Sequence, residues 1–296
     1  MDIRYEASGS SVGYSPQTQS APTATRLAAN MLRTPCRIVC RRLARLASSR
    51  IVVLCYHSIG NAKDAVRAND FLDQMHYLKE RARVVSLDQI LSGRLFDDSV
   101  ALNCAITFDD GYVGVFEIAH PILCELGLPS LVYLTTDAVG DESPKRSDDY
   151  DGLFPGDRTL TWRQVIEMNR RGVTIGSHLC QHKDMTTLVD DEGLFELSRS
   201  KEIIEQRLGV PCRHFAYPFG YFNNRNIRWV RECGYQSATT VVFRPVGRCF
   251  DPLRMPRMCV GPTYNMDDFI AILRGDYDYL PVVQKMRRIF GLGRSL

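Results

Sequence analysis

Ala101-Leu102-Asn103-Cys104-Ala105-Ile106-Thr107-Phe108-Asp109-Asp110-Gly111-Tyr112 is an apolar run that stops at two adjacent carboxylates and a glycine. Such a run, bounded by turn residues, reads as a strand buried on both faces, as in a parallel sheet. Runs of the same kind occur at 51–56, 130–135, 173–176, 213–217 and 236–242. Helical periodicity marks 69–81, 113–126, 162–171, 191–208 and 223–233 between them. Gly127, Gly172, Gly209 and Gly234 each follow a helical stretch, where a glycine just past the last turn closes a helix. Strands alternating with helices predict βαβ units and an α/β fold, and this many units favour a barrel over an open sheet.

The chain has 296 residues, 45% hydrophobic and 24% charged, which excludes a wholly disordered, collagenous or coiled-coil protein. Eight Arg against Asp2 and Glu6 put residues 1–50 at +6, so with a net charge of +3 residues 51–296 carry −3. A mildly acidic body argues against a nucleic-acid partner. Residues 1–25 are Ser/Thr/Pro-rich and read as disordered. Residues 26–50 interleave seven Arg with Leu27, Met31, Leu32, Ile38, Val39, Leu43 and Leu46. That pattern predicts a basic amphipathic helical segment, suited either to an anionic membrane surface or to packing on the main body. The ten Cys contain no CxxC pair, and several lie inside apolar runs as small buried hydrophobes. The opening Met-Asp-Ile-Arg-Tyr-Glu lacks the apolar core of a secretory signal. The expectation is therefore a cytoplasmic protein, with peripheral contact to the inner membrane face through 26–50. The oligomeric state is not readable.

Three segments at the C-terminal ends of expected strands carry the polar groups of interest, where parallel α/β folds build their sites. Asp109-Asp110-Gly111 is either a turn with a helix cap or a pair of carboxylates aimed in different directions. His178 and His182, in His178-Leu179-Cys180-Gln181-His182, are spaced to meet on one side of a helical turn; they read as metal ligands or as surface capping residues. Tyr217-Pro218-Phe219-Gly220 is a rigid turn after a strand. The polar segment 137–158 reads as a long loop near the site.

Taken together and in this order, Thr107-Phe108-Asp109-Asp110-Gly111-Tyr112, the HxxxH pair and Tyr217-Pro218-Phe219-Gly220 resemble the polysaccharide deacetylases, the NodB homology domain or carbohydrate esterase family four. The resemblance is nearest to the poly-N-acetylglucosamine deacetylase branch, which shares an early Tyr-His such as Tyr56-His57. It spans roughly 51–260, and the corresponding unit is bounded here as 51–262, with 263–296 as a C-terminal helical tail. It implies a deformed (β/α) barrel and a hydrolase removing N-acetyl groups from an N-acetylated carbohydrate. It implies Asp110, His178 and His182 as ligands of one divalent ion, Zn²⁺ or Co²⁺ among the options, and Asp109 as the base acting on metal-activated water. It also implies His57 as the acid that protonates the leaving amine, since no His follows His214. Tyr112, Tyr217, Pro218, Phe219 and Gly220 are the substrate-binding candidates. Ala216 stands where the family usually carries an Arg that orients the base, and Leu179 where it carries Ser or Thr. A related amide hydrolase and a non-catalytic carbohydrate-binding module are the alternative readings.

Overall fold

The computed structural model describes residues 49–97 and 100–278. The expected disordered segment, the basic stretch up to residue 48 and the chain beyond 278 lie outside the described residues. Arg50, counted in the basic segment, instead opens the first strand and pairs its guanidinium with Asp278 at 2.7 and 2.8 Å.

The strands are β1 (Arg50–Tyr56), β2 (Arg83–Val84), β3 (Leu102–Phe108), β4 (Ser130–Leu134), β5 (Thr174–Ser177), β6 (His214–Ala216), β7 (Ser237–Thr239) and β8 (Met258–Cys259). All pair in parallel, in the order β7-β6-β5-β4-β3-β1-β8, with β2 on β3. The sheet curls, and the segment leading into β8 brings its two edges together. Met255 bridges Thr239, while Met258 and Cys259 pair with Leu54 and Cys55. This is the barrel expected from the strand–helix alternation, in the deformed form that the family resemblance implies. Sequence reading missed β8, whose two residues are too few to show a period.

Alternation along the strands sorts side chains onto two faces. Val52, Leu54, Tyr56, Cys104, Ile106 and Phe108 turn outward to meet the helices, whereas Ile51, Val53, Ala105, Leu131, Tyr133 and Ala216 turn inward. The helices are α1 (Ala68–Arg81), α2 (Leu87–Leu91), α3 (His120–Leu126, led in by a π-helical turn at Val115–Ala119), α4 (Trp162–Arg170), α5 (Asp190–Leu208), α6 (Asn224–Glu232) and α7 (Met266–Arg274). Side chains set several starts: Ser86/Gln89, Thr161/Gln164, Asn223/Asn226 and Asn265/Asp268 form reciprocal caps that satisfy the first free amides. The four glycines after helical stretches all have positive φ, between 65° and 92°. Helix α7 buries Phe269 and Ile272 completely in the same core as Phe71 and Leu78 of α1. The folded unit therefore runs to at least Asp278, and a boundary at 262 falls inside it. No helix among the described residues is long and apolar enough to cross a membrane.

Two glycines separate backbone strain from steric contact. Gly209 closes α5 at φ 69° with open space around an added Cβ. Gly114 has ordinary helical φ, −59°, but a Cβ there would overlap the Ile59 carbonyl oxygen. Gly209→Ala should cost about 1–2 kcal/mol, the strain of a left-handed residue. Gly114→Ala should cost more, because a main-chain carbonyl cannot rotate away. Urea unfolding that ranked them the other way would contradict this account of the β1–α1 junction.

Candidate active site

The C-terminal ends of β1, β3, β5 and β6 open on one side of the sheet, and each carries one expected motif. After β3 the chain makes a tight turn: Asp110 sits at φ 69°, and the Gly111 amide bonds to the Asp109 carbonyl at 2.8 Å. This left-handed residue sends the two neighbouring carboxylates different ways. After β5, His178 and His182 are not on a helix. They lie on an irregular turn with Leu179 left-handed at φ 68° and fully buried. Buried Glu196 of α5 holds that turn by accepting the Cys180 and Gln181 amides at 3.0 and 2.9 Å. After β6, Phe219 adopts φ 57°. These are the three non-glycine residues with positive φ among those described, and one stands in each motif; strain of this kind collects at functional sites.

Asp110, His178 and His182 offer ligand atoms within 4.8 Å of one another, and all three are buried. Asp110 Oδ1 lies 3.4 Å from His178 Nε2 and 3.5 Å from His182 Nε2, and the two Nε2 atoms are 3.1 Å apart. Ligands about 2.0–2.1 Å from one tetrahedral ion are separated by about 3.3 Å, so the triangle has the right size. His178 donates its Nδ1–H to the Ala216 carbonyl at 2.7 Å, which leaves Nε2 with its lone pair facing the triangle. Asp110 Oδ1 is buried with no hydrogen-bond partner, as expected of an atom placed for a cation. The donor set fits a divalent ion with a free position. Burial lowers the pKa of His182 to about 4 despite the nearby Asp110, so its ring is neutral at neutral pH. For His178, burial alone would lower the pKa, but the facing Asp110 carboxylate and the Asp109 charge raise it overall.

Asp109 turns into the barrel. Its two oxygens accept from Arg257 Nη1 and Nη2, both at 2.6 Å, and Arg257 is fully buried. Arg257 also donates to the Thr240 carbonyl and to Thr107 Oγ1, and lies over the Tyr133 ring at 5.4 Å. Burial would push the Asp109 carboxyl upward, yet the Arg257 charge, seconded by His178, holds it well below the usual range. An arginine paired with Asp109 is thus present, supplied from the approach to β8 rather than from position 216. Sequence reading missed it because Arg257 lies 148 residues from its partner. The sole hint was a short run late in the chain that carries Arg254 and Arg257.

His57 follows β1, half-buried, with a ring nitrogen within 4.8 Å of an Asp109 oxygen and of Cys55 Sγ. Two substrate-binding candidates are not placed to stack on a sugar. Tyr112 is fully buried, and its hydroxyl accepts the Phe154 amide at 2.5 Å. Tyr217 is fully buried, donates to the Leu253 carbonyl at 3.1 Å and stacks on Phe222. Pro218 is buried too. Phe219, half-buried beside His182 with ring centroids 4.4 Å apart, and Gly220 remain at the mouth. The aromatic residue type suggested stacking, but aromatic side chains serve equally well as core.

Residues 101–238 match the family profile described as polysaccharide deacetylase. The chain is 24% identical over 228 residues to YxkH of Bacillus subtilis, covering 76% of each. It is 21% identical over 206 residues to the poly-beta-1,6-N-acetyl-D-glucosamine N-deacetylase of Staphylococcus epidermidis, covering 66% of this chain and 68% of that one. Among solved structures, IcaB from Ammonifex degensii superposes with a TM-score of 0.64 at 24% identity, over 77% of this chain and 97% of that one. At this identity the structural likeness speaks for the fold.

The buried ion pair generates a stability test. Arg257→Met leaves Asp109 buried without a counter-charge, and Asp109→Leu leaves Arg257 in the same state. Each should lose about 3–5 kcal/mol in urea unfolding, while the double variant recovers much of that loss. Additive losses would show that the two side chains do not depend on each other.

Proposed function

We propose that this chain, whose residues 101–238 match the polysaccharide deacetylase family, is a metal-dependent N-deacetylase of N-acetylated sugars in a polysaccharide or glycan precursor. One observation carries the reading: an Asp-His-His triangle of ion-binding size stands next to an ionised carboxylate that is not part of it. A binding module needs no such second carboxylate, whereas hydrolysis needs a group to receive a proton from water.

Asp110, His178 and His182 hold the ion. A divalent ion there supplies a polarised acetamide carbonyl and an acidified water, which suits a carboxylate of such low basicity as Asp109. Asp109 takes up the proton at a carboxylate oxygen, and the Arg257 fork keeps that carboxylate ionised and fixed in direction. His57 delivers a proton from its ring to the departing nitrogen, so that water and amide become acetate and amine. Phe219 packs its ring edge-to-face with the His182 ring at the mouth of the site. Zinc is the ion we propose, since a His₂Asp set with an open position suits it. The cytoplasmic placement and the membrane contact through 26–50 remain part of this reading on sequence grounds.

Oligomers of N-acetylglucosamine are the probe, given the substrate named for the Staphylococcus epidermidis relative. Acetate should be released with zinc or cobalt present and should stop on chelation. His178→Ala and His182→Ala should each lose bound metal. Asp109→Asn should keep metal and slow turnover by about 10²–10⁴-fold, the usual share of a general base. A metal-loaded protein that binds these oligomers without releasing acetate would be a binding module. One that cleaves only non-sugar amides would be the related hydrolase.

A further inference from the structure

The groups around the site are oriented by different means. His178 is fixed by the Ala216 carbonyl, and Asp109 by the Arg257 fork. Among the described residues no hydrogen bond to either ring nitrogen orients His57. What touches its ring is Phe154, at the tip of the loop between β4 and α4, with centroids 5.1 Å apart and planes at 58°.

Phe154 is itself held in place. Its amide donates to Tyr112 Oη at 2.5 Å, and its ring stacks on the fully buried Tyr112 ring at 6.2 Å and 13°. The same loop grips the residue after His57: Ser58 Oγ donates to Asp157 Oδ2 at 2.5 Å. Asp157 is tied through its backbone to Ser147, whose hydroxyl donates to the Asp157 carbonyl at 2.9 Å and accepts the Asp157 amide at 3.0 Å. Ser147 is fully buried. The loop tip also lies against the ion-binding side, since a Cβ on Gly152 would overlap His182 Nδ1 and come 2.7 Å from Phe219 Cζ. An irregular segment therefore contacts His57, one ligand histidine and the third motif together.

We infer that this loop positions the proton donor, with Phe154 setting the plane of the His57 ring and the Ser58–Asp157 bond setting where its backbone stands. The inference rests on the reading of His57 as the acid. An imidazole without a hydrogen-bond partner turns about its side-chain torsions unless packing stops it, and the Phe154 face is that stop. Phe154 is thus a positioning residue. A substrate platform at the same place would act on binding instead.

A double-mutant cycle separates these roles. Phe154→Ala should lower kcat by about 10–100-fold with little change in KM, because misplacing a reacting group by an ångström costs rate on that scale. Phe154→Tyr should restore the rate, and Phe154→Leu, which fills space without a flat face, should not. Bound metal per chain should be the same in all three. In a His57→Gln background, Phe154→Ala should cost nothing further. A rise in KM at unchanged kcat would overturn the inference in favour of substrate contact. An equal loss of kcat in both backgrounds would overturn it in favour of a structural role. Normal turnover in His57→Gln alone would remove the acid assignment itself, and the inference with it; the first arm of the cycle therefore distinguishes that failure from the others.

Discussion

The Asp109–Arg257 ion pair is the constraint on which the rest of the site depends. Both charges lie inside the barrel, where an unpaired charge costs several kcal/mol. They come from distant parts of the chain, 148 residues apart: Asp109 follows β3, and Arg257 immediately precedes β8. The pair can form only if the segment around Met255–Cys259 lies between the two edges of the sheet. There Met255 bridges Thr239 on one side and β8 pairs with β1 on the other. Closure of the barrel and orientation of the carboxylate are thus one event. The hydrogen bonds from Arg257 to Thr107 and Thr240 then leave little of its guanidinium unsatisfied.

With Asp109 turned inward, the left-handed turn at Asp110 turns the second carboxylate outward to the histidines. Leu179 and Phe219 repeat the same device after β5 and β6. A non-glycine residue held there costs on the order of 1 kcal/mol or more, so each needs a local network. The Leu179 carbonyl accepts the Thr136 amide at 3.1 Å, and the Gly220 amide bonds to the Tyr217 carbonyl at 2.8 Å. The regular sheet sets where each strand ends. These three turns set where the side chains point.

The periodic part of this architecture was legible in the sequence. Long apolar runs and closing glycines read correctly because each reports on its own immediate surroundings. The Asp110, His178 and His182 cluster was readable from motif order, although the two histidines meet on an irregular turn rather than on a helix. What depends on distant partners was not readable. Arg257 cannot be joined to Asp109 by spacing. Glu196 looks like any acidic residue of a helix until its carboxylate is seen holding the Cys180 and Gln181 amides. Tyr112 and Tyr217 look like sugar platforms until their hydroxyls are found bound inside the protein.

The departure at position 216 shows why a missing motif residue need not mean a missing function. Ala216 faces the barrel interior with Tyr133 and Met255. The interior is one shared space, so a guanidinium can reach the Asp109 carboxylate from a strand other than the one that carries position 216. Here Arg257 does so from the approach to β8. The guanidinium missing at position 216 thus reaches Asp109 from position 257, and the resemblance to the family pattern holds in space where it fails in sequence position.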